Sequence, residues 1–219
     1  MDSRTSTTEQ LGKAVQACGQ PPKVWMNSST ATIYRHAEDR PMTEAAGEIG
    51  SGFSVEVAKS WEEAFFSFDL PETRQIALRI AIVLGPGGGV MTPYRNLVKL
   101  GLGGAQGSGQ QRFSWIHVED LFGIIQFLNK RDDLSGVFNC SAPHPVQNHE
   151  LMKELRHTMN RSIGLPAPRW MLELGAKVIK TETELMLKSR WVLPERLERA
   201  GYTFLFPTLD EALRSILSA

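Results

Sequence analysis

Residues 75–84 read QIALRIAIVL, apolar almost throughout and rich in Ile and Val. A run this short and this continuously apolar predicts a strand buried on both faces of a parallel sheet. The glycines from Gly85 onward end it. Before it, residues 6–18 put Leu11, Ala14, Val15 and Cys18 at helical spacing, with Gly19 as a stop. Residues 24–32, VWMNSSTAT, predict a short strand that dissolves into hydroxyl side chains. Residues 35–52 are polar and turn-rich and predict a loop. Residues 53–68 predict a helix with Val57, Trp61, Ala64 and Phe65 on its buried face. After the apolar run come a glycine turn (85–89), a helix over 92–99 and a second glycine loop (101–109). A strand over 113–118, a helix over 120–128, a strand over 136–141 and a helix over 148–159 complete the pattern.

Strand and helix alternating in this way predict an α/β fold with a largely parallel sheet. The pattern changes after Pro166 and Pro168. Residues 170–215 show helical periodicity broken at Pro194, Gly201 and Pro207, with no clear strand. This predicts a small helical cap, with residues 1–160 as the α/β part and 161–219 as the cap. The aromatics Trp170, Trp191, Tyr202, Phe204 and Phe206 are expected to form the cap's own core. Lys177, Lys180, Lys188 and Arg190 make a mild basic cluster, expected as a solvated helix face.

Charge and cysteine narrow the function classes. Lys plus Arg and Asp plus Glu are 24 each, so no basic excess points to nucleic acid or an anionic membrane surface. Two distant cysteines, Cys18 and Cys140, exclude a disulfide framework or a cysteine-rich zinc site, and a reducing cytoplasm is the expectation. The polar N-terminus has no signal core, and no run approaches the roughly 20 apolar residues of a membrane span. His144 and His149 lie near Glu150 but lack helical i, i+4 ligand spacing, so no metal is expected there.

Several segments carry a family resemblance. Residues 27–34, NSSTATIY, resemble the S-S-[ST]-x-x-x-Y stretch that ends a central strand in extended short-chain dehydrogenases of the nucleotide-sugar-epimerase type. SVEVAKSWEEA resembles the helix that carries Y-x-x-x-K in those proteins. LRIAIVLGPGGG resembles L-R-x-x-x-V-x-G-P. RFSWIHVEDL resembles [RK]-x-[FW]-I-H-V-x-D-[LV], the most specific of these matches. GGGVM, GLGGAQGSGQQRFSWIHVEDL, FNCSAPHPVQN and VLPERLERAGYTFLFPTLDEAL resemble an atypical epimerase-like branch with a C-terminal cap of unassigned role. The resemblance spans nearly the whole chain. It implies the C-terminal half of a doubly wound, Rossmann-like parallel sheet plus a small helical cap.

For function, the resemblance implies an NAD or NADP-binding oxidoreductase acting on a sugar nucleotide or another carbonyl or hydroxyl compound. It also implies what is missing. Family members open with a strand and a glycine loop whose amides hold the pyrophosphate at a helix N-terminus. Here Gly101 and Gly103 fit G-x-G-x-x-G except at Gln106, and Gly85 and Gly87 fit except at Val90. Neither loop follows the first strand of a βαβ unit. The first four strands are expected to be absent, as in a fragment of a longer protein, with no cofactor bound by this chain alone. Thr30 matches the family's Ser/Thr that bonds the reacting oxygen, and Lys59 the lysine that binds the nicotinamide ribose. The position of the tyrosine acid is Val55, which has no transferable proton. A pseudoenzyme that senses a dinucleotide without turnover, or a scaffold, is therefore the alternative.

Each residue also has a purely structural reading. Thr30 could cap local backbone. Lys59 could be a solvated helix lysine paired with Glu62 or Glu63. Arg79, inside an apolar strand, must find acceptors and could pair with a carboxylate such as Asp120 rather than contact cofactor. Arg112 and His117 sit where relatives shape the substrate pocket, although His117 could be a satisfied core group and Asp120 a helix N-cap. Thr30 and Arg112 are expected to share one cleft rimmed by the 101–109 loop. The strand over 24–29, lacking its family neighbour, is expected to leave an open edge prone to self-association.

Overall fold

A computed structural model of the chain describes residues 2–167 and 188–218. Trp170, Lys177 and Lys180 lie outside the described residues. The chain begins with helix α1 (Asp2–Gln16) and strand β1 (Val24–Thr30), which passes into a 3-10 turn (Ala31–Ile33). Helix α2 (Phe53–Phe66) leads to β2 (Arg74–Ile80) and β3 (Ile82–Leu84), then to helix α3 (Met91–Lys99). Next come β4 (Arg112–Phe113), β5 (Trp115–His117), helix α4 (Val118–Lys130), β6 (Gly136–Cys140), β7 (Val146–Gln147) and helix α5 (Asn148–Thr158). Helices α6 (Glu195–Arg199) and α7 (Leu209–Ser218) follow.

The central sheet is parallel, in the order β1-β2-β6. A second parallel pair joins β3 to β5, and a short antiparallel pair joins β4 to β7. The long apolar run is thus two strands, not one. Ala81 donates its N–H to Cys140 O (3.0 Å), while Ile82 donates to Ser114 O (3.3 Å). The backbone changes partner at that peptide, so one continuous apolar pattern serves two sheets. The run expected as a strand over 113–118 divides for a similar reason. Arg112–Phe113 pairs with β7 and Trp115–His117 with β3, while the Ser114 hydroxyl bonds Arg190 O (2.7 Å) and Val192 N (2.8 Å).

The face of α2 also differs from expectation. Of the expected Val57, Trp61, Ala64 and Phe65, only Phe65 is buried; the buried residues are Val55, Ala58, Glu62 and Phe65, so the face is rotated about the helix. Periodicity alone counts a carboxylate as an outward position. Here Glu62 is drawn inward by partners on the sheet, and Trp61 turns toward α1, where its indole N–H donates to Thr8 Oγ1 (2.9 Å).

Residues 188–218 do not form a core of their own among the described residues. Trp191 packs on the cluster around Tyr34, Val55 and Val192; Tyr202 and Phe204 on the cluster around Ile76, Ile124 and Phe138; and Phe206 on the cluster around Trp115 and Leu213. The expected aromatic core of the cap is instead spread over three clusters of the α/β part. Residues 189–193 run as a strap between two loops. Ala37 N donates to Ser189 O (3.2 Å), Met42 N to Trp191 O (2.6 Å), and Arg190 N to Arg112 O (2.9 Å).

Candidate functional site

The strand register places Ser29, Arg79 and Asn139 in one row across β1, β2 and β6. Three neighbouring polar residues on a buried sheet need partners. Glu62 reaches down from α2 to provide them. Its Oε1 accepts from Ser29 Oγ (2.5 Å) and Arg79 Nε (2.8 Å), and its Oε2 from Arg79 Nη2 (2.7 Å). Arg79 Nη1 donates to the Tyr34 hydroxyl (2.9 Å), which donates to Asn139 Oδ1 (2.9 Å). Asn139 Nδ2 donates to Leu193 O (3.0 Å), and Asn139 N to Glu44 Oε1 (2.9 Å). Every nitrogen of the Arg79 fork is therefore bonded inside the protein. Arg79 is the clamp between sheet and helix, and its partner is Glu62, not Asp120. Burial works against the Arg79 charge, but the bonds and charge of Glu62 outweigh it and raise the pKa. Burial likewise pushes the Tyr34 hydroxyl up, against the pull of the neighbouring guanidinium.

Thr30 ends β1 and caps the 3-10 turn: its hydroxyl accepts from Thr32 N (3.1 Å) and donates to Thr32 Oγ1 (3.0 Å). Lys59 pairs with Glu56 (3.2 Å), one turn back, rather than with Glu62 or Glu63. Val55, which the resemblance sets against the family tyrosine, is fully buried among Ala31, Tyr34 and Ala58.

His117, not Asp120, is the N-cap of α4. Its Nδ1 accepts from Glu119 N (3.2 Å), so the neutral ring carries its proton on Nε2. Nε2 has no hydrogen-bond partner among the described residues, and the ring lies 4.0 Å from that of Phe206. Burial lowers the His117 pKa, against Glu119 and Asp120. Asp120 is fully buried and ties down the C-terminal segment: its carboxylate accepts from Leu205 N (2.7 Å), Phe206 N (2.9 Å) and the Tyr202 hydroxyl (3.2 Å). The most specific sequence match thus anchors residues 202–206 through its last carboxylate.

Arg112 stacks on Trp191, with its guanidinium carbon 4.3 Å from the ring centroid. It lines a small cavity of about 10 Å³, the room of one water, together with Gln111, Ser114, Asn148, Lys188 and Arg190. Three cationic residues border it, and the mild basic cluster of the sequence supplies two of them, Lys188 and Arg190. Neither Thr30 nor the 101–109 loop lines this cavity.

That loop also meets the looser pattern G-x-x-G-x-x-G, at Gly101, Gly104 and Gly107, which a search for G-x-G-x-x-G passes over. It nevertheless follows a helix and runs into β4, opening no helix whose N-terminus could face a pyrophosphate. Its glycines have another use. A Cβ on Gly104 would come within 2.6 Å of the backbone of residues 164–166. Leu165 N donates to Gly101 O (2.8 Å) and Ala167 N to Ala105 O (3.0 Å). Gly104 leaves room for the extended segment 164–166 to lie against the loop.

Relatives place these features in context. A family model described as a domain of unknown function, DUF1731, matches residues 167–216. The human epimerase family protein SDR39U1 is 33% identical over 218 residues, covering 99% of this chain and 73% of that protein. The crystal structure of human SDR39U1 (isoform 2) with NADPH superimposes with a TM-score of 0.88 at 32% identity, over 99% of this chain and 72% of the human one. The nucleoside-diphosphate sugar epimerase of Corynebacterium glutamicum superimposes with a TM-score of 0.80 at 28% identity, over 99% of this chain and 42% of its own. With its parallel sheet, its HVED segment and its C-terminal strap, the chain belongs to the atypical, epimerase-like short-chain dehydrogenase family that includes human SDR39U1.

Proposed function

We propose that this chain forms the substrate side of an NAD(P)-dependent epimerase-like oxidoreductase, and that Arg112, stacked on Trp191 at the rim of the water-sized cavity, contacts an anionic group of the substrate, such as the diphosphate of a sugar nucleotide. The observation that carries this reading is that Arg112, Lys188 and Arg190 border one cavity together with Gln111 and Asn148. Guanidinium groups pair with phosphate oxygens through two parallel N–H donors. The stacked Trp191 restrains the Arg112 guanidinium, so less freedom is lost on binding. The human relative was solved with NADPH. In an intact site of that kind, Thr30 and Lys59 lie at the nicotinamide end, and the pyrophosphate rests on a glycine loop that these residues do not supply. Each is free to move from its present partner, since Thr32 and Glu56 bond them only locally.

A second reading keeps the binding and drops the turnover. Val55 is wholly buried in an apolar cluster, so the position that carries the proton donor in the family holds neither a donor nor an opening to a cleft. The protein would then report on a dinucleotide or a substrate without converting it. Trp191 offers a direct test of the anion cleft. Titration with UDP, UDP-glucose and inorganic diphosphate should change its fluorescence saturably, and salt should weaken the effect. Arg112→Met should weaken binding by roughly tenfold or more, as expected for loss of a charge-assisted bond of about 1.5–3 kcal/mol. Equal binding to the substituted protein, or none to either, would rule the cleft out.

A further inference from the structure

We propose that Glu154, His157 and Asp210 form a zinc-class divalent metal site that pins α7 to α5. One ligand atom from each lies within 4.8 Å of the others, the one such group among the described residues. Glu154 and His157 are three apart on α5, so helical geometry puts them on one face, and Asp210 comes from the first turn of α7. The two helices are held together beneath the site by Leu151, Leu155, Leu209, Leu213 and Ile216. The ligand backbones therefore sit on packed helices rather than on loops, and only rotamer changes separate the present spacing from a ligand sphere.

One imidazole with two carboxylates suits a borderline metal such as Zn²⁺, leaving water in the fourth position. Hard cations favour all-oxygen cages, so Mg²⁺ and Ca²⁺ fit less well. Asp210 commits one oxygen to Arg214 (3.0 Å) and keeps the second. His157 is exposed and the two carboxylates are half-buried, so metal can enter without unfolding. The site lies away from the cleft lined by Arg112, and neither His144 nor His149 takes part.

The test uses the 219-residue chain stripped of metal. Zn²⁺, Co²⁺, Mg²⁺ and Ca²⁺ are titrated by calorimetry, and melting is followed in parallel. One Zn²⁺ per chain should bind and raise the melting midpoint. Co²⁺ should give visible ligand-field bands that His157→Asn removes. His157→Asn and Glu154→Gln should each weaken Zn²⁺ by roughly tenfold or more, since even outer-shell changes cost that much. Both positions are away from the core, and their metal-free melting midpoints report any loss of fold. Asp210→Asn adds a third check with Arg214 still in place. Zn²⁺ binding that survives these substitutions, or no binding at all by the parent chain, would overturn the site.

Discussion

Glu62 is the residue whose side chain ties α2 to the buried polar row of the sheet. It joins α2 to β1 and β2 through Ser29 and Arg79, and its side chain and that of Arg79 are each only 11% exposed. Removing one member of a buried pair strands the other. Glu62→Gln should therefore lower the unfolding free energy by about 2–4 kcal/mol in urea titration, the lower part of the range for buried pairs because some solvent reaches this one. Glu62→Met with Arg79→Met should cost less than the two single changes added together. Purely additive costs would mean that the clamp is not a unit. His117 makes a different prediction. Burial depresses its folded pKa, so between that value and the unfolded value near 6.5 it is the unfolded chain that takes the extra proton. This contribution to stability is full above about 6.5 and is lost as the pH falls through the window. His117→Asn keeps a side-chain acceptor for the helix cap and removes the titration. Between pH 7.5 and 5.5, melting of the parent chain should fall more steeply than melting of the Asn variant. Glu44, whose pKa burial raises, is common to both and cancels in the comparison. Parallel curves would show that His117 is not the group responsible. The sequence pointed to Arg79 and His117 as polar groups in apolar company, but it could not show Arg79's partner. Glu62 lies seventeen positions away on another element, and only the strand register brings the two together.

The alternation of strand and helix was legible because each element carries its own period. The element boundaries within apolar runs were not. Nothing in QIALRIAIVL marks Ala81, because the change of partner there is made by the backbones of residues 114 and 140, which the run itself does not encode. The glycine loop misled in a similar way: Gly104 is glycine because residues 164–166 lie against it, a contact between distant parts of the chain. The outer edge of β1 carries the prediction at this scale. β1 pairs with β2 on one side, and no strand pairs with its other side among the described residues. Unpaired strand edges recruit partners. We expect the 219-residue chain to associate through this edge. Size-exclusion chromatography with light scattering should show a mass that grows with concentration, and Met26→Pro should reduce that growth, since proline removes a ladder donor. A sharp, concentration-independent monomer that melts cooperatively would count against the open edge.

At the scale of the whole molecule, the family and the α/β class were readable because short motifs such as RFSWIHVEDL join a strand end to a helix start in an unusual order of residue types. The place of the C-terminal segment was not. Its aromatics look self-sufficient in sequence, yet in the fold they fill gaps over three clusters, and Asp120, Asn139 and Ser114 hold its backbone. Helical periodicity records that a face is apolar, not what it is apolar toward. The same segment brings Lys188 and Arg190 beside Arg112, so the small cavity there is complete only with residues 188 and 190 in place. None of the described helices is long and apolar enough to cross a membrane. The division of labour proposed for the molecule, a substrate cleft built here and a dinucleotide held elsewhere, is tested most directly by calorimetric titration of the 219-residue chain with NADPH and NADH. The expected result is no saturable heat in the micromolar range with either cofactor, because the 101–109 loop opens no helix and the 85–89 loop, which does lead into α3, has Val90 where the last glycine of G-x-G-x-x-G would lie. Micromolar binding of either one would contradict it and would place the dinucleotide on these residues after all.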